Sequence, residues 1–73
     1  MTTKEKQITR AAELGRQAFE ENRHRIPYWD KELNLMLTGR QVGETPPGAA
    51  STVQIYRAWL AAWDRANLAR AKS

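Results

Sequence analysis

The stretch from Ser51 to Arg70 has the clearest periodic pattern in the chain. Its apolar and small residues fall in one arc of a helix, whereas its charged and amide side chains fall on the opposite side. Ser51 and Gln54 have the spacing of a capping box, in which each side chain satisfies a backbone amide of the first turn. The pattern predicts an amphipathic α-helix from Ser51 to about Arg70. Its apolar arc contains Val53, Ile55, Tyr56, Trp59, Leu60, Ala62, Trp63 and Ala66.

A second helical pattern near the N-terminus predicts a helix over Lys4–Asn22. Thr2 and Glu5 have the capping-box spacing at its start. Gly15 lies within the apolar stripe, where a glycine destabilises a helix by about 0.5–1 kcal/mol relative to alanine. We therefore expect another helix or a tryptophan ring to approach closely at Gly15. The stripe consists of Ile8, Ala11, Ala12, Gly15, Ala18 and Phe19.

The segment between these two helices contains turn signals and one short helical pattern. Pro27 disfavours helical backbone at the residue before it, so the first helix must end upstream. Asp30 can accept a hydrogen bond from the first turn of a short helix over Lys31–Leu37. The Gly39–Ala50 segment is rich in glycine and proline and predicts a loop.

Together these patterns predict an all-α fold, a single domain over residues 1–73 with three helices and a short middle helix. The chain has only three tryptophans, two tyrosines and one phenylalanine with which to build a core. We therefore assign most of the wide apolar arc to packing, and expect Trp29 to fold inward as well. The predicted core contains Phe19, Leu33, Leu37, Tyr56, Trp59, Leu60 and Trp63.

Composition excludes several classes of protein. The absence of cysteine and the single histidine argue against a disulfide framework or a metal centre. No apolar run approaches the roughly 18 residues that span a bilayer, so we expect no contact with a membrane. We also expect no cofactor. There is no glycine-rich phosphate loop and no nucleophile paired with a histidine, and Asp30, Glu32 and Asp64 are interpreted as exposed helix-surface groups. The sequence predicts a binding protein, not an enzyme.

Charge points to an acidic or phosphate-bearing partner, although an ordinary basic surface kept for solubility remains open. Twelve lysines and arginines stand against eight acidic residues, for a net charge of +4. The 23–25 segment places two arginines and the histidine before Tyr28 and Trp29, a combination that can bind phosphates and stack bases. In the alternative interpretation both rings fold inward and the arginines stay hydrated. The candidate partner-binding residues are Arg23, His24, Arg25, Arg40, Arg57 and Arg65.

The chain locally resembles ribosome modulation factors. The similar parts are Ala11–Ala18, the Pro27–Tyr28 pair and Tyr56–Ala66 with its two tryptophans. That family has small residues around a helical glycine, a proline-tyrosine turn and a tryptophan-rich second helix. Ala62 and Ile26 stand where the family usually has glycine and cysteine. The resemblance implies binding to ribosomal RNA or the ribosome, and this is the alternative function.

Over its whole length the chain also resembles the small transcription regulators of lytic Xanthomonas phages. This likeness lies in the chain length, in Ile26–Asp30 and in the tryptophan helix. It implies a monomer in the host bacterial cytoplasm that binds host RNA polymerase near its RNA exit channel, with contact to nascent RNA left open. The implied effects are inhibition of promoter-dependent initiation and readthrough of intrinsic terminators, which is the leading function. A third hypothesis is an adaptor that binds a partner helix through the apolar arc.

Overall fold

The computed structural model of the protein describes residues 3–38 and 48–71, and it is all-α over these ranges. The helices are α1 (Thr3–Glu20), α2 (Lys31–Met36) and α3 (Thr52–Ala71), with a short 3-10 turn over Pro27–Trp29. The predicted fold of two long helices and a short middle one is confirmed. None of the described helices is both long and apolar enough to cross a membrane.

The first helix ends two residues earlier than predicted, and the backbone conformation of Asn22 terminates it. Asn22 has a positive φ of 60°, in the left-handed region that asparagine tolerates better than most residues. Its amide donates to the Phe19 carbonyl at 3.0 Å, and the Arg23 amide donates to the Ala18 carbonyl at 2.8 Å. These two bonds form a Schellman motif, which satisfies carbonyls that the end of a helix leaves without partners.

The predicted caps of the other two helices are confirmed. The Asp30 Oδ1 accepts from the Leu33 amide at 3.1 Å at the start of α2. At the start of α3, the Gln54 amide donates to the Ser51 hydroxyl at 3.1 Å, and the Ser51 amide donates to the Gln54 side chain at 2.9 Å. The predicted cap at Thr2 and most of the predicted Gly39–Ala50 loop lie outside the described residues.

The two long helices run in the same direction, because their contacts follow the same order along both. The Gln7 side chain accepts from the Ala50 amide at 2.9 Å near the start of the pair. Near its end, the Phe19 and Trp63 rings meet edge to face with centroids 5.2 Å apart. The chain must therefore return along α1, whose 18 residues span roughly 27 Å at 1.5 Å per residue. The return begins with the 3-10 turn and α2.

The helices α1 and α3 approach each other closely at Gly15, as predicted. A Cβ atom at Gly15 would overlap the carbonyl oxygen of Trp59 and lie 2.9 Å from its carbonyl carbon. Only glycine fits between the two backbones at this point. The cost of a glycine within a helix is therefore offset by direct helix-to-helix contact.

The core differs from the predicted one in its share of small residues. Leu33 and Trp59 are buried as predicted, while Leu37, Tyr56, Leu60 and Trp63 pack against the core in partly buried positions. Phe19 is also only partly buried. Because the helices are so close at Gly15, the alanines beside it are fully enclosed. The buried apolar residues are Ala11, Leu14, Ala18, Leu33, Ala50, Ile55 and Trp59.

Two expectations about the middle segment are wrong. Trp29 does not fold inward: it is 64% exposed, and its neighbour Tyr28 is 70% exposed. Asp30 is not a surface group, because only 3% of it is exposed. Both differences have one cause. The Trp59 ring fills the space under the turn, and its indole N–H donates to the Asp30 Oδ2 at 2.9 Å.

We predict that Gly15→Ala destabilises the protein by about 1–3 kcal/mol, because the added methyl group meets backbone that cannot move aside. Alanine would otherwise stabilise a helix relative to glycine. Urea unfolding followed by circular dichroism measures the difference. Gln17→Ala, on the exposed side of α1, is the control and should change the free energy of unfolding by less than about 0.5 kcal/mol. A Gly15→Ala protein as stable as the parent would contradict the close contact.

We predict that Trp59→Phe costs more than Trp63→Phe. The first change removes a buried donor from a carboxylate, which costs about 1.5–3 kcal/mol beyond the lost ring volume. The second removes a longer bond of 3.3 Å to the Arg23 carbonyl in an exposed position, for which about 1 kcal/mol is expected. Thermal and urea unfolding of both variants provide the comparison. Equal losses would show that the bond between Trp59 and Asp30 contributes little.

Candidate nucleic-acid interface

The turn between α1 and α2 encloses a pocket of about 270 Å³, which we call the turn pocket. Its floor is formed by side chains that are buried in the fold, and its rim by exposed basic, aromatic and aliphatic side chains. The floor residues are Ala18, Asp30 and Trp59, and the remaining lining residues are Asn22, Arg23, His24, Ile26 and Trp29. The pocket therefore combines an enclosed carboxylate with a cationic and aromatic rim.

Asp30 is held in the floor by groups on α2, on α3 and in the segment that follows α1. Its Oδ1 accepts from the Leu33 amide, and its Oδ2 accepts from the Trp59 indole N–H at 2.9 Å. The Arg23 guanidinium lies at 4.0 Å from the same Oδ2, which is too far for a hydrogen bond but close enough for electrostatic attraction. The cationic side chain at the rim therefore lies close to the buried anion.

The residues of the rim contact one another and also bond to α3. The His24 and Trp29 rings meet edge to face, with centroids 5.9 Å apart and planes at 79°. The Arg23 carbonyl accepts from the Trp63 indole N–H, which ties the turn to α3. The Arg23 guanidinium also lies 3.4 Å from a Glu21 carboxylate oxygen. Trp29 nevertheless keeps most of its ring exposed and available for stacking.

Arg25 makes an ion pair within the protein. Its Nε and Nη2 donate to the two carboxylate oxygens of Asp64 at 2.6 and 2.7 Å. These hydrogen bonds lower the pKa of the Asp64 carboxyl and raise the pKa of the Arg25 guanidinium relative to their ordinary values. A phosphate that approached Arg25 would have to compete with this bidentate partner. That Arg25 contacts a partner molecule stays a prediction.

The structure brings together only part of the predicted contact set. Arg23 and His24 share the turn pocket, and Arg25 is bonded beside it. Arg57 is exposed on α3 but does not line the pocket. Arg65 lines a different depression, and Arg40 lies outside the described residues.

The depression at Arg65 is an open groove of about 810 Å³ between α1 and α3. Its floor consists of alanines, and its rim carries charges of both signs. Arg10 lies 3.3 Å from Glu13 and 3.0 Å from Glu32, and Arg16 lies 3.7 Å from Glu20. The lining residues are Thr9, Arg10, Ala12, Glu13, Arg16, Gln17, Glu20, Ala62, Arg65, Ala66 and Ala69.

The pocket floor escaped prediction from the sequence. Asp30 was recognisable as a helix cap, yet nothing in its spacing indicated that Trp59, 29 residues away, donates to the same carboxylate. Within residues 3–38 and 48–71 no group of three His, Cys, Asp or Glu side chains is placed to hold a metal ion. No protein-family model matches the chain, and neither a curated protein nor a solved structure shows significant similarity to it.

We predict that Arg25→Gln raises the pKa of Asp64, because the neutral amide stabilises the carboxylate less than the guanidinium does. When folding lowers the pKa of a carboxyl, that group stabilises the protein at pH values above its pKa in the unfolded chain, which is about 3.9. This contribution is lost as the pH falls through the pKa of the carboxyl in the folded protein. The parent should therefore lose the contribution at a lower pH than the unfolded value alone implies. Carbon-detected NMR titration of the Asp64 carboxyl in both proteins measures the shift. Identical midpoints would show that the ion pair does not persist in solution.

Proposed function

We propose that the protein is a non-enzymatic regulator of bacterial gene expression that binds RNA through the turn pocket and its rim, with the ribosome as its target. The observation that carries this proposal is the exposed Trp29 ring beside the Arg23 and His24 side chains. Unpaired RNA bases stack on exposed aromatic rings, and a neighbouring guanidinium such as that of Arg23 binds the phosphates.

The exposure of the aromatic rings is the first line of support. A small protein with few aromatic residues would be expected to bury them, since each contributes a large apolar area to a core. Tyr28 and Trp29 are instead 70% and 64% exposed, and the adjacent Ile26 is 36% exposed. Adjacent exposed apolar side chains beside cations are more typical of a binding surface than of ordinary solvated surface.

The residues of the ribosome-modulation resemblance supply the second line of support. Gly15 touches the backbone at Trp59, and the Trp63 indole N–H bonds to the turn at Arg23. Pro27 and Tyr28 lie in the 3-10 turn that follows. The similar residues therefore belong to one unit that holds the candidate interface, which favours a ribosomal target.

The second candidate is a regulator that binds host RNA polymerase in the bacterial cytoplasm, inhibits promoter-dependent initiation and promotes readthrough of intrinsic terminators. Its support is the mixed charge around the turn. Arg23 lies near Glu21 and Asp30, and Arg25 is paired with Asp64. Surfaces with both signs of charge suit a complementary protein surface, whereas phosphate-binding surfaces are mainly positive. Nascent RNA would then be an additional contact.

A capture experiment with the tagged full chain separates the two candidates. The ribosomal proposal predicts recovery of ribosomes from a bacterial lysate and direct RNA binding that weakens steeply with salt, because bound phosphates release counterions. The polymerase proposal predicts recovery of polymerase and changed termination in a purified transcription reaction. Recovery of polymerase alone, with no RNA affinity, would reject the ribosomal proposal.

We predict that Arg23→Gln weakens RNA binding severalfold and lowers the slope of log affinity against log salt by about one, as expected for one lost phosphate contact. The fold should persist, because the Trp63 bond is made to the Arg23 backbone carbonyl. Fluorescence anisotropy with a labelled oligoribonucleotide at several salt concentrations measures both quantities. Arg16→Gln, which removes one positive charge at the alanine-floored groove, is the matched control. Equal losses from both variants would indicate diffuse attraction without a site at the turn.

A further inference from the structure

We infer that the Arg25 guanidinium is a second phosphate-binding site of the RNA interface, which the Asp64 carboxylate occupies in the free protein and an RNA phosphate takes over. This inference rests on the proposed RNA binding. It specifies a further contact with the RNA backbone and the group within the protein that competes for it. The observation behind it is the bidentate pair between Arg25 and Asp64 beside the turn pocket.

The Asp64 carboxylate contacts Arg25 in the way that a phosphate would. Its two oxygens accept from Nε and Nη2 of the guanidinium at 2.6 and 2.7 Å. The planar fork of arginine binds two oxygens of a carboxylate or two oxygens of a phosphate, because its parallel N–H groups match both. The guanidinium is therefore already held in an orientation that binds a phosphate, with an anion of the protein in the phosphate's place.

Both partners of this pair are open to solvent, in contrast to the enclosed Asp30 carboxylate. The Arg25 side chain is 50% exposed and the Asp64 side chain 44% exposed, whereas the Asp30 side chain is 2% exposed. A phosphate can therefore reach the guanidinium without entering the turn pocket. When Asp64 is displaced, its carboxylate regains water, so no charge is left buried without a partner.

The ion pair lies next to the other residues of the proposed interface. Arg25 follows Arg23 by two residues, and Asp64 follows Trp63, whose indole N–H donates to the Arg23 carbonyl. Neighbouring residues of α3 are thus joined to the same short segment. An RNA strand that contacts Arg23 through one phosphate therefore has Arg25 close by for a second.

The exchange of Asp64 for a phosphate is energetically accessible. Exposed ion pairs contribute little to the stability of a folded protein, because water solvates both charges well. A phosphate of a nucleic acid has an additional source of free energy, since its contact with arginine releases counterions that are condensed along the strand. The carboxylate of Asp64 offers no such release. It should therefore weaken RNA binding by competition without blocking it.

Asp64→Asn tests the competition, because the amide keeps the shape of the side chain and removes its charge. We expect this variant to bind a labelled single-stranded oligouridylate severalfold more tightly than the parent, and the slope of log affinity against log salt to steepen by about one. Fluorescence anisotropy at several salt concentrations measures both quantities. Glu13→Gln is the matched control: it also removes an acidic partner of an arginine, but at the alanine-floored groove. Its gain should be smaller and its slope unchanged.

The same change in a second background shows whether the gain depends on Arg25. In an Arg25→Gln protein, Asp64→Asn cannot free a guanidinium, so its gain should fall to that of Glu13→Gln. Equal gains in the two backgrounds would show that Asp64 acts only through its general negative charge, and would overturn the inference. Thermal unfolding checks the fold of each variant, which should persist because the pair is exposed.

The titration of Asp64 gives a readout that does not depend on affinity. The bonds from Arg25 lower the pKa of the Asp64 carboxyl in the free protein. When a phosphate takes the guanidinium, this pKa should rise at least to its value in Arg25→Gln. Carbon-detected NMR of the parent with saturating oligouridylate measures the change. A pKa that stays at its value in the free protein would show that the pair remains closed in the complex, which would overturn the exchange.

Failure of this inference can be told apart from failure of the proposed function. Binding of the parent that weakens with Arg23→Gln, with no gain in Asp64→Asn beyond that of Glu13→Gln, would overturn the second phosphate site and leave RNA binding in place. An absence of binding to the oligouridylate and to ribosomes, in the parent and in Asp64→Asn, would overturn both proposals.

Discussion

The contact between the Gly15 and Trp59 backbones is the constraint on which the rest of the structure depends. A missing side chain on α1 lets the two long helices touch, and this closeness encloses alanines that would otherwise make a poor core. It also fixes the position of α3 along the axis of α1 and the rotation of α3 about its own axis. The Trp59 side chain is thereby directed under the following turn, where it fills space that a larger separation would leave open.

From that contact, α3 holds the turn by three polar bonds. The Trp59 indole N–H reaches Asp30, the Trp63 indole N–H reaches the Arg23 carbonyl, and Asp64 holds Arg25. The Asp30 carboxylate, the Arg23 carbonyl and the Arg25 guanidinium all lie in the 23–30 segment. Their three partners lie within two turns of α3. A segment that has little regular structure of its own is therefore kept in one conformation.

This arrangement explains why the aromatic turn can stay exposed. Because Trp59 fills the space beneath it, the rings of Tyr28 and Trp29 are not needed for the core and point into solvent. A surface held in advance by hydrogen bonds loses less conformational entropy when it binds, so a small contact area can give useful affinity. Trp63 thus supports the proposed interface without lining it, whereas Trp29 and Trp59 both line the turn pocket.

The sequence by itself determined the elements that depend on neighbours along the chain. Helical periodicity, the capping boxes and the cap at Asp30 involve residues within four positions of each other, and the structure confirms those it describes. Gly15 was also recognisable as a place of close approach. Only the tertiary structure decided that Trp59 bonds to Asp30, that Trp29 is exposed and that Arg25 is paired. Each depends on where α3 passes the turn, which the parallel packing of two distant segments sets and no local pattern encodes.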